Sequence, residues 1–321
     1  MADSPPIEVR GLVKRYGEIA AVDDVDLTVN PGDVFGYLGP NGAGKTTSLR
    51  MMLGLIRPTG GSVRLFGRDP QISVAALEGV AGFVESPTFY PYLSGRANLE
   101  LYAALDGGEG RRRIEQVLET VDLRDRAKDK VKGYSHGMRQ RLGIASALLR
   151  SPRLLLLDEP TTGLDPAGMR DMRQLIRDLA DRGITVLLSS HLMPEVEELC
   201  NRVAIIRSGR VAYEGSLGEL RATAGVSYRL RTTDDALARR VCESQPGIEE
   251  IEEARPDGLL FEASNESAVA GLSLALAESG APVLELTPRR ATLEELFFQL
   301  TEGGAPSREG VAASREIEAV A

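Results

Sequence analysis

At 321 residues the chain exceeds one average domain and predicts a large domain joined to a smaller one, each able to bury a core. A formal net charge of −9 argues against a nucleic-acid partner, since holding a polyanion takes a basic surface that releases counterions. No stretch reaches the roughly 18 apolar residues of a membrane span and no charged-then-apolar leader is visible, so the expected setting is cytosolic and any membrane role belongs to a partner.

The chain begins with Ile7 to Val13 and Val25 to Val29, which alternate apolar and polar residues. They predict an antiparallel edge sheet with Tyr16 on the loop between its strands. A ring there is either a surface aromatic or a platform for a nucleotide base. The apolar stretch Val34 to Leu38 then runs into Gly39-Pro40-Asn41-Gly42-Ala43-Gly44-Lys45-Thr46-Thr47, a G-x-x-x-x-G-K-T run followed by a helical pattern. Its glycines let consecutive backbone N–H groups turn inward on phosphate oxygens. Lys45 supplies a point charge for the β- and γ-phosphates, the Thr46 hydroxyl is placed to hold Mg²⁺, and the helix offers its positive end. Only five of the 38 basic residues are lysines, which makes Lys45 conspicuous.

Ser62 to Phe66 predicts a short strand after the turn at Arg57 to Gly61, and Val80 to Val84 a buried one. The latter ends at Glu85, whose carboxylate faces either a metal or solvent. Ser94 to Leu105 and Arg111 to Val121 read as a helical insert, separated by Asp106 to Gly110. Tyr134-Ser135-His136-Gly137-Met138 opens a helix with Met138, Leu142, Ala145 and Leu149 on one face; Ser135 either caps that helix or also grips an anion.

Leu154 to Leu157 has the unbroken apolar character of a parallel strand covered on both faces, and it ends in Asp158-Glu159-Pro160. In P-loop enzymes an aspartate at such a strand end holds Mg²⁺. Alternation sends the next side chain toward the position from which water attacks, so Asp158 reads as the metal partner and Glu159 as the base. Thr161 to Pro166 turns into a helix from Ala167 to Arg182. Ile184 to Leu188 is a second buried strand, which brings His191 to the rim that carries Asp158. A hairpin, Arg202 to Arg207 with Arg210 to Glu214, closes the first domain, expected to span residues 1–224.

The pattern then changes to a second α+β unit over residues 225–301. Strands are expected at Ser227 to Arg231, Ile248 to Glu253, Leu259 to Ala263 and Pro282 to Thr287, with helices at Asp234 to Glu243 and Glu266 to Glu278. That order, β-α-β-β-α-β, is the ferredoxin-like split unit. A closing helix from Thr292 to Leu300 carries Leu293, Leu296, Phe297 and Leu300 on one face, and residues 302–321, rich in Gly, Ala, Ser and charge, read as a disordered tail. Cys200 and Cys242 have no Cys or His partner at ligand spacing and are expected to be inert buried thiols.

Taken together, the first 224 or so residues resemble the nucleotide-binding domain of ABC transporters, with six motifs in the family's order. Gly39 to Thr47 looks like Walker A, Leu154 to Asp158 like Walker B, Tyr134 to Met138 like the signature, Leu164-Asp165 like the D-loop, His191 like the switch histidine and Tyr16 like the base-stacking aromatic. The resemblance implies a P-loop α/β domain with an antiparallel edge sheet, a parallel core sheet and a helical subdomain. It also implies an ATPase using ATP and Mg²⁺, with metal held by Thr46, Asp158 and Glu85, and chemistry carried by Glu159 and His191. Two such subunits, by default identical, would meet head to tail, so that Ser135, Gly137 and Asp165 reach the partner's ATP. A separate membrane permease at the cytoplasmic face would turn the cycle into transport.

Two residues depart from the family's pattern. Glu85 stands where a glutamine is most often found, and His136 replaces the signature's first glycine. Both resemble the branch that exports bacitracin, lantibiotics and related antimicrobials through ABC-2-type permeases, and Thr292 to Phe297 resembles the closing segment of daunorubicin-type export ATPases. The expected function is therefore drug or peptide-antibiotic efflux. An importer ATPase would share every catalytic residue but not these features. A non-transport relative would usually carry two cassettes or a long coiled-coil insert, and neither is present in the sequence.

Overall fold

The computed structural model describes residues 4–222, 227–253, 258–289, 292–293 and 296–298, and the chain divides into two compact units at Ser216/Leu217. The larger unit starts with β1 (Ile7–Tyr16) and β2 (Ile19–Val29), an antiparallel pair that runs longer than the sequence pattern predicts. Register shifts between Val9 and Arg15 absorb the breaks in alternation, and pairing continues to Tyr16 opposite Ile19. Tyr16 therefore ends a strand instead of sitting on a loop, and the turn itself is only Gly17-Glu18.

The chain next enters a second sheet as β3 (Val34–Leu38), continues into α1 (Lys45–Met52) and returns in β4 (Gly60–Leu65) to complete the three-stranded order β2-β1-β4. β5 (Val80–Phe83) follows, and then the helical insert with α2 (Gly95–Leu105) and α3 (Ile114–Thr120). Ser94 caps α2 by accepting from the Ala97 N–H. The second insert helix starts later than its pattern predicts, because Glu109–Arg113 winds into a tighter 3₁₀ turn from which Arg113 reaches the Leu149 carbonyl at 2.7 Å. α4 (His136–Leu148) packs against α2 and α3 and also against β5. Gly143 makes the last approach possible: a Cβ there would lie 3.3 Å from the ring of Phe83 and 2.6 Å from Cγ of Pro87 just after the strand.

β6 (Leu154–Asp158), α5 (Pro166–Asp181), β7 (Thr185–Ser190), α6 (Met193–Leu199), β8 (Arg202–Arg207) and β9 (Arg210–Ser216) finish this unit. The second sheet has the order β5-β6-β7-β3-β8-β9, parallel except for the edge strand β9. Leu154 to Leu157 are all fully buried, as expected for a strand covered on both faces. Each such leucine contributes about 1.5–3 kcal/mol of burial. The short helix α6 carries Pro194 in its first turn as its start signal, and no side chain caps it.

The smaller unit opens with α7 (Leu217–Ala222). β10 (Ser227–Thr232), α8 (Asp235–Ser244), β11 (Ile248–Glu253), β12 (Leu259–Ala263), α9 (Glu266–Glu278) and β13 (Val283–Arg289) follow in the β-α-β-β-α-β order. The sheet is antiparallel with order β11-β12-β10-β13, the ferredoxin-like arrangement. Leu230, Phe261, Leu272 and Leu276 form its core, and Tyr228 stacks on Phe261 at 5.5 Å. Of the closing helix, Leu293 and Leu296 are buried; residues 294–295, 299–300 and the tail at 302–321 lie outside the described residues. Both cysteines are buried, and burial pushes the Cys242 thiol up to about 11, which leaves it an unreactive thiol at neutral pH.

Candidate active site

Parallel register builds one rim from three strand ends. Leu38 of β3 pairs with Ser190 of β7, and Asp158 of β6 pairs with Ser189. The segments that follow, beginning at Gly39, Glu159 and His191, therefore leave the sheet side by side.

In the phosphate loop Gly44 has φ +103 and an added Cβ would lie 2.3 Å from the Ala21 carbonyl oxygen, so only glycine fits where α1 begins. Lys45 is 5 % exposed, and its Nζ donates to the carbonyls of Gly39 at 2.7 Å and Pro40 at 3.3 Å while lying 3.5 Å from Oε1 of Glu159. One buried ammonium thus bridges the loop and the candidate base. Thr46 Oγ1 donates to Oδ2 of Asp158 at 3.0 Å, and Ser189 Oγ donates to the other carboxylate oxygen at 2.5 Å. The hydroxyl and carboxylate expected at the metal position are already adjacent.

Glu159 follows the strand with φ +47, so its direction comes from a left-handed turn rather than from strand alternation. A non-glycine residue there costs about 1–3 kcal/mol, and the surroundings hold it: its N–H donates to Ser189 O at 3.2 Å and Ser189 Oγ at 3.0 Å. Its carboxylate accepts from Thr162 Oγ1 at 2.9 Å and lies 3.2 Å from Nδ1 of His191. Burial pushes this carboxyl up, but the Thr162 hydroxyl, His191 and Lys45 together hold it below the ordinary glutamate value. It is ionised at neutral pH.

Behind the rim, Ser190 Oγ donates to Oε2 of the buried Glu195 at 2.7 Å. Burial raises Glu195 above the ordinary glutamate range. Sequence reading missed Thr162, Ser189, Ser190 and Glu195. The two serines are visible only as unusual polar residues at the end of an apolar strand, and Glu195 only as an acid one helical turn after His191.

Most of the other expected site residues are more exposed, Ala43 being buried. Tyr16 is 51 % exposed, with Lys14 Nζ 5.1 Å from its ring centroid. Pro40, Asn41, Gly42, Ala43 and Thr47 lie in or just after the phosphate loop, with the Ala43 N–H on the Pro40 carbonyl at 3.1 Å. Glu85 has φ +68; its carboxylate pairs with Arg50, and its N–H donates to Asp158 Oδ2 at 3.3 Å. Its backbone, not its side chain, touches Asp158. Ser135 Oγ accepts from the Met138 N–H at 3.2 Å, capping α4. Gly137 lies beside Leu164, and Asp165 caps α5 by accepting from Gly168 N–H at 3.1 Å. A cavity of about 510 Å³ lined by Arg68, Arg150 and Arg153 lies near the opposite ends of β5 and β6 and shares none of these residues.

The ABC transporter family pattern matches residues 22–162. The bacitracin transport ATP-binding protein BcrA of Bacillus licheniformis is 39 % identical over 93 % of this chain and 98 % of its own length. The chain belongs to the ABC transporter family. The daunorubicin/doxorubicin resistance ATP-binding protein DrrA of Streptomyces peucetius is 37 % identical over 97 % of this chain and 96 % of its own. Among solved structures, a dimeric post-hydrolysis state of the ATP-binding cassette MJ0796 bound to ADP and Pi is similar at 27 % identity and a TM-score of 0.58, covering 66 % of this chain and 98 % of that one. The ABC chain described here is accordingly an ATP-binding, ATP-hydrolysing subunit.

Proposed function

We propose that this ATPase powers efflux of a drug, peptide antibiotic or similar compound through a separate ABC-2-type permease. The observation that carries the reading is end-to-end similarity to bacitracin-transport and daunorubicin-resistance ATP-binding proteins, through the smaller unit as well as the cassette. No helix among the described residues is long and apolar enough to cross a membrane, so substrate passage falls to a partner, with this subunit at the cytoplasmic face of the membrane.

The rim geometry supports the chemistry. Backbone N–H groups of the loop from Gly39 to Gly44, with Lys45, hold the phosphates, and Tyr16 stacks on the base. Thr46 Oγ1 and the Asp158 carboxylate, 3.0 Å apart, are hard oxygen donors suited to Mg²⁺. When bound, Mg²⁺ neutralises charge on the β- and γ-phosphates. The ionised Glu159 takes a proton from the water whose oxygen attacks the γ-phosphorus, while the bond to the ADP oxygen breaks; His191, 3.2 Å away, holds the water and γ-phosphate in line. Two copies meeting head to tail place Ser135, Gly137 and Asp165 on the partner's nucleotide, and the nucleotide joins the dimer. Closure and opening then drive the permease.

Affinity capture of the tagged chain from detergent-solubilised membranes of its host, with mass spectrometry of what co-purifies, tests the transport reading. A polytopic permease is the expected partner. Ribosomal or repair proteins in its place would leave the ATPase standing and overturn export.

A further inference from the structure

We infer that His136 is a positioning residue for hydrolysis, tying the start of α4 to the Glu159 carboxylate through Thr162. His136 Nε2 lies 3.1 Å from the Thr162 carbonyl oxygen. A carbonyl only accepts, so this nitrogen carries the proton. The same threonine donates its hydroxyl to Glu159 Oε2 at 2.9 Å, and its own N–H returns to the Glu159 carbonyl at 3.2 Å. The link is short and continuous: imidazole to carbonyl on one side of Thr162, hydroxyl to carboxylate on the other.

The neighbourhood leaves room for this contact. Gly163, with φ +78, follows Thr162, and an added Cβ there would meet the His136 ring at 3.5 Å, an ordinary contact distance, so the imidazole lies beside this loop. A glycine at position 136 has no side chain to reach Thr162, so the link is particular to the histidine. It holds the loop after β6 from outside, while Ser189 holds it from within through the Glu159 N–H. Without His136 the Thr162 turn keeps its fold but gains freedom, and the carboxylate loses one of its orienting partners.

The inference rests on the reading of Glu159 as the base and extends it. In a head-to-tail dimer the start of α4 would face the partner's nucleotide, so the same link would join each signature segment to the base of its own chain.

The test is a double-mutant cycle in ATP turnover by the full chain, with affinity measured by calorimetry using a non-hydrolysable ATP analogue. His136→Ala is expected to lower kcat roughly three- to tenfold, the range one neutral hydrogen bond supplies, with ATP affinity and thermal midpoint near those of the unaltered chain. Thr162→Val, which removes a bond to the ionised carboxylate itself, is expected to lower kcat by about ten- to a hundredfold, and the double variant to be no worse than Thr162→Val alone, because both act on one path. His136→Gln, which keeps a donor, should recover most of the rate. Unchanged kcat in His136→Ala, or losses that simply multiply in the double variant, overturns the link. Glu159→Gln separates the two levels: if it remains active the base assignment falls, whereas if it is inactive and the cycle is additive only the link falls.

Discussion

The site residues divide into an inner and an outer group. Lys45, Thr46, Asp158, Glu159, Ser189 and His191 hold one another across three strand ends. Tyr16, Ser135, Gly137, Asp165 and Glu85 lie further out, and apart from the Glu85 N–H on Asp158 their polar contacts are local: a cap on their own helix, a neighbouring arginine, a lysine near a ring. The difference separates what one chain completes by itself from what it offers outward. Inner substitutions should damage the isolated subunit, and outer ones should be felt mainly in the assembled, nucleotide-bound form.

The sharpest test of the inner group is Glu159→Gln. Removing a general base lowers turnover by about 10²–10⁴-fold, while Lys45, Thr46 and Asp158 remain to bind ATP. Phosphate release should collapse as analogue affinity persists; near-normal turnover would remove Glu159 as base. In the unaltered chain the acid limb of kcat/KM should lie below the ordinary glutamate range, because the folded-state value is depressed. By the same sign, the stability these contacts contribute is present above the unfolded value and is lost as pH falls through the lower folded one.

Lys45→Ala should come next. Charge-assisted hydrogen bonds contribute about 1.5–3 kcal/mol each, so ATP affinity is expected to fall about ten- to a hundredfold, read by calorimetry. Affinity within twofold of the unaltered chain would place the phosphate contact elsewhere.

Glu195 is a structural counterpart behind the rim. Glu195→Ala strands the buried Ser190 hydroxyl and should destabilise the cassette by about 1–3 kcal/mol in denaturant unfolding, whereas Glu195→Gln should recover most of that. In the outer group, Ser135→Ala removes a helix cap and should cost about 0.5–2 kcal/mol in the isolated subunit. If Ser135 also contacts a partner's nucleotide, its turnover defect should grow with ATP-driven dimerisation, measured by light scattering alongside rate. A defect independent of assembly would make it a cap alone.

The division also marks what could be read from sequence. The phosphate loop and β6 were legible because their physics is local: glycines at a turn, a lysine and hydroxyl at a helix start, an apolar run ending in carboxylates. The ferredoxin-like order was legible because short alternating strands and capped helices each signal themselves. Ser189, Thr162 and Glu195 were not, since an ordinary serine, threonine or buried acid acquires a role only when parallel register brings β6 and β7 level. Tyr16 was placed on a loop because strand bulges disguise alternation as irregularity.

Glu85 tests the boundary between the groups with the smallest expected effect. Its N–H reaches Asp158 Oδ2 at 3.3 Å, yet its side chain is 65 % exposed and pairs with Arg50 at the end of α1. Glu85→Gln keeps the backbone contact and removes one negative charge close to Asp158, the proposed Mg²⁺ partner. Loss of an exposed pair costs about 0–1 kcal/mol, so folding and ATP affinity should hold. If the charge acts on the metal position through space, the Mg²⁺ dependence and steady-state rate of hydrolysis should both shift. If they coincide with those of the unaltered chain, the carboxylate is a solvated partner of Arg50, and only the Glu85 backbone belongs to the inner group.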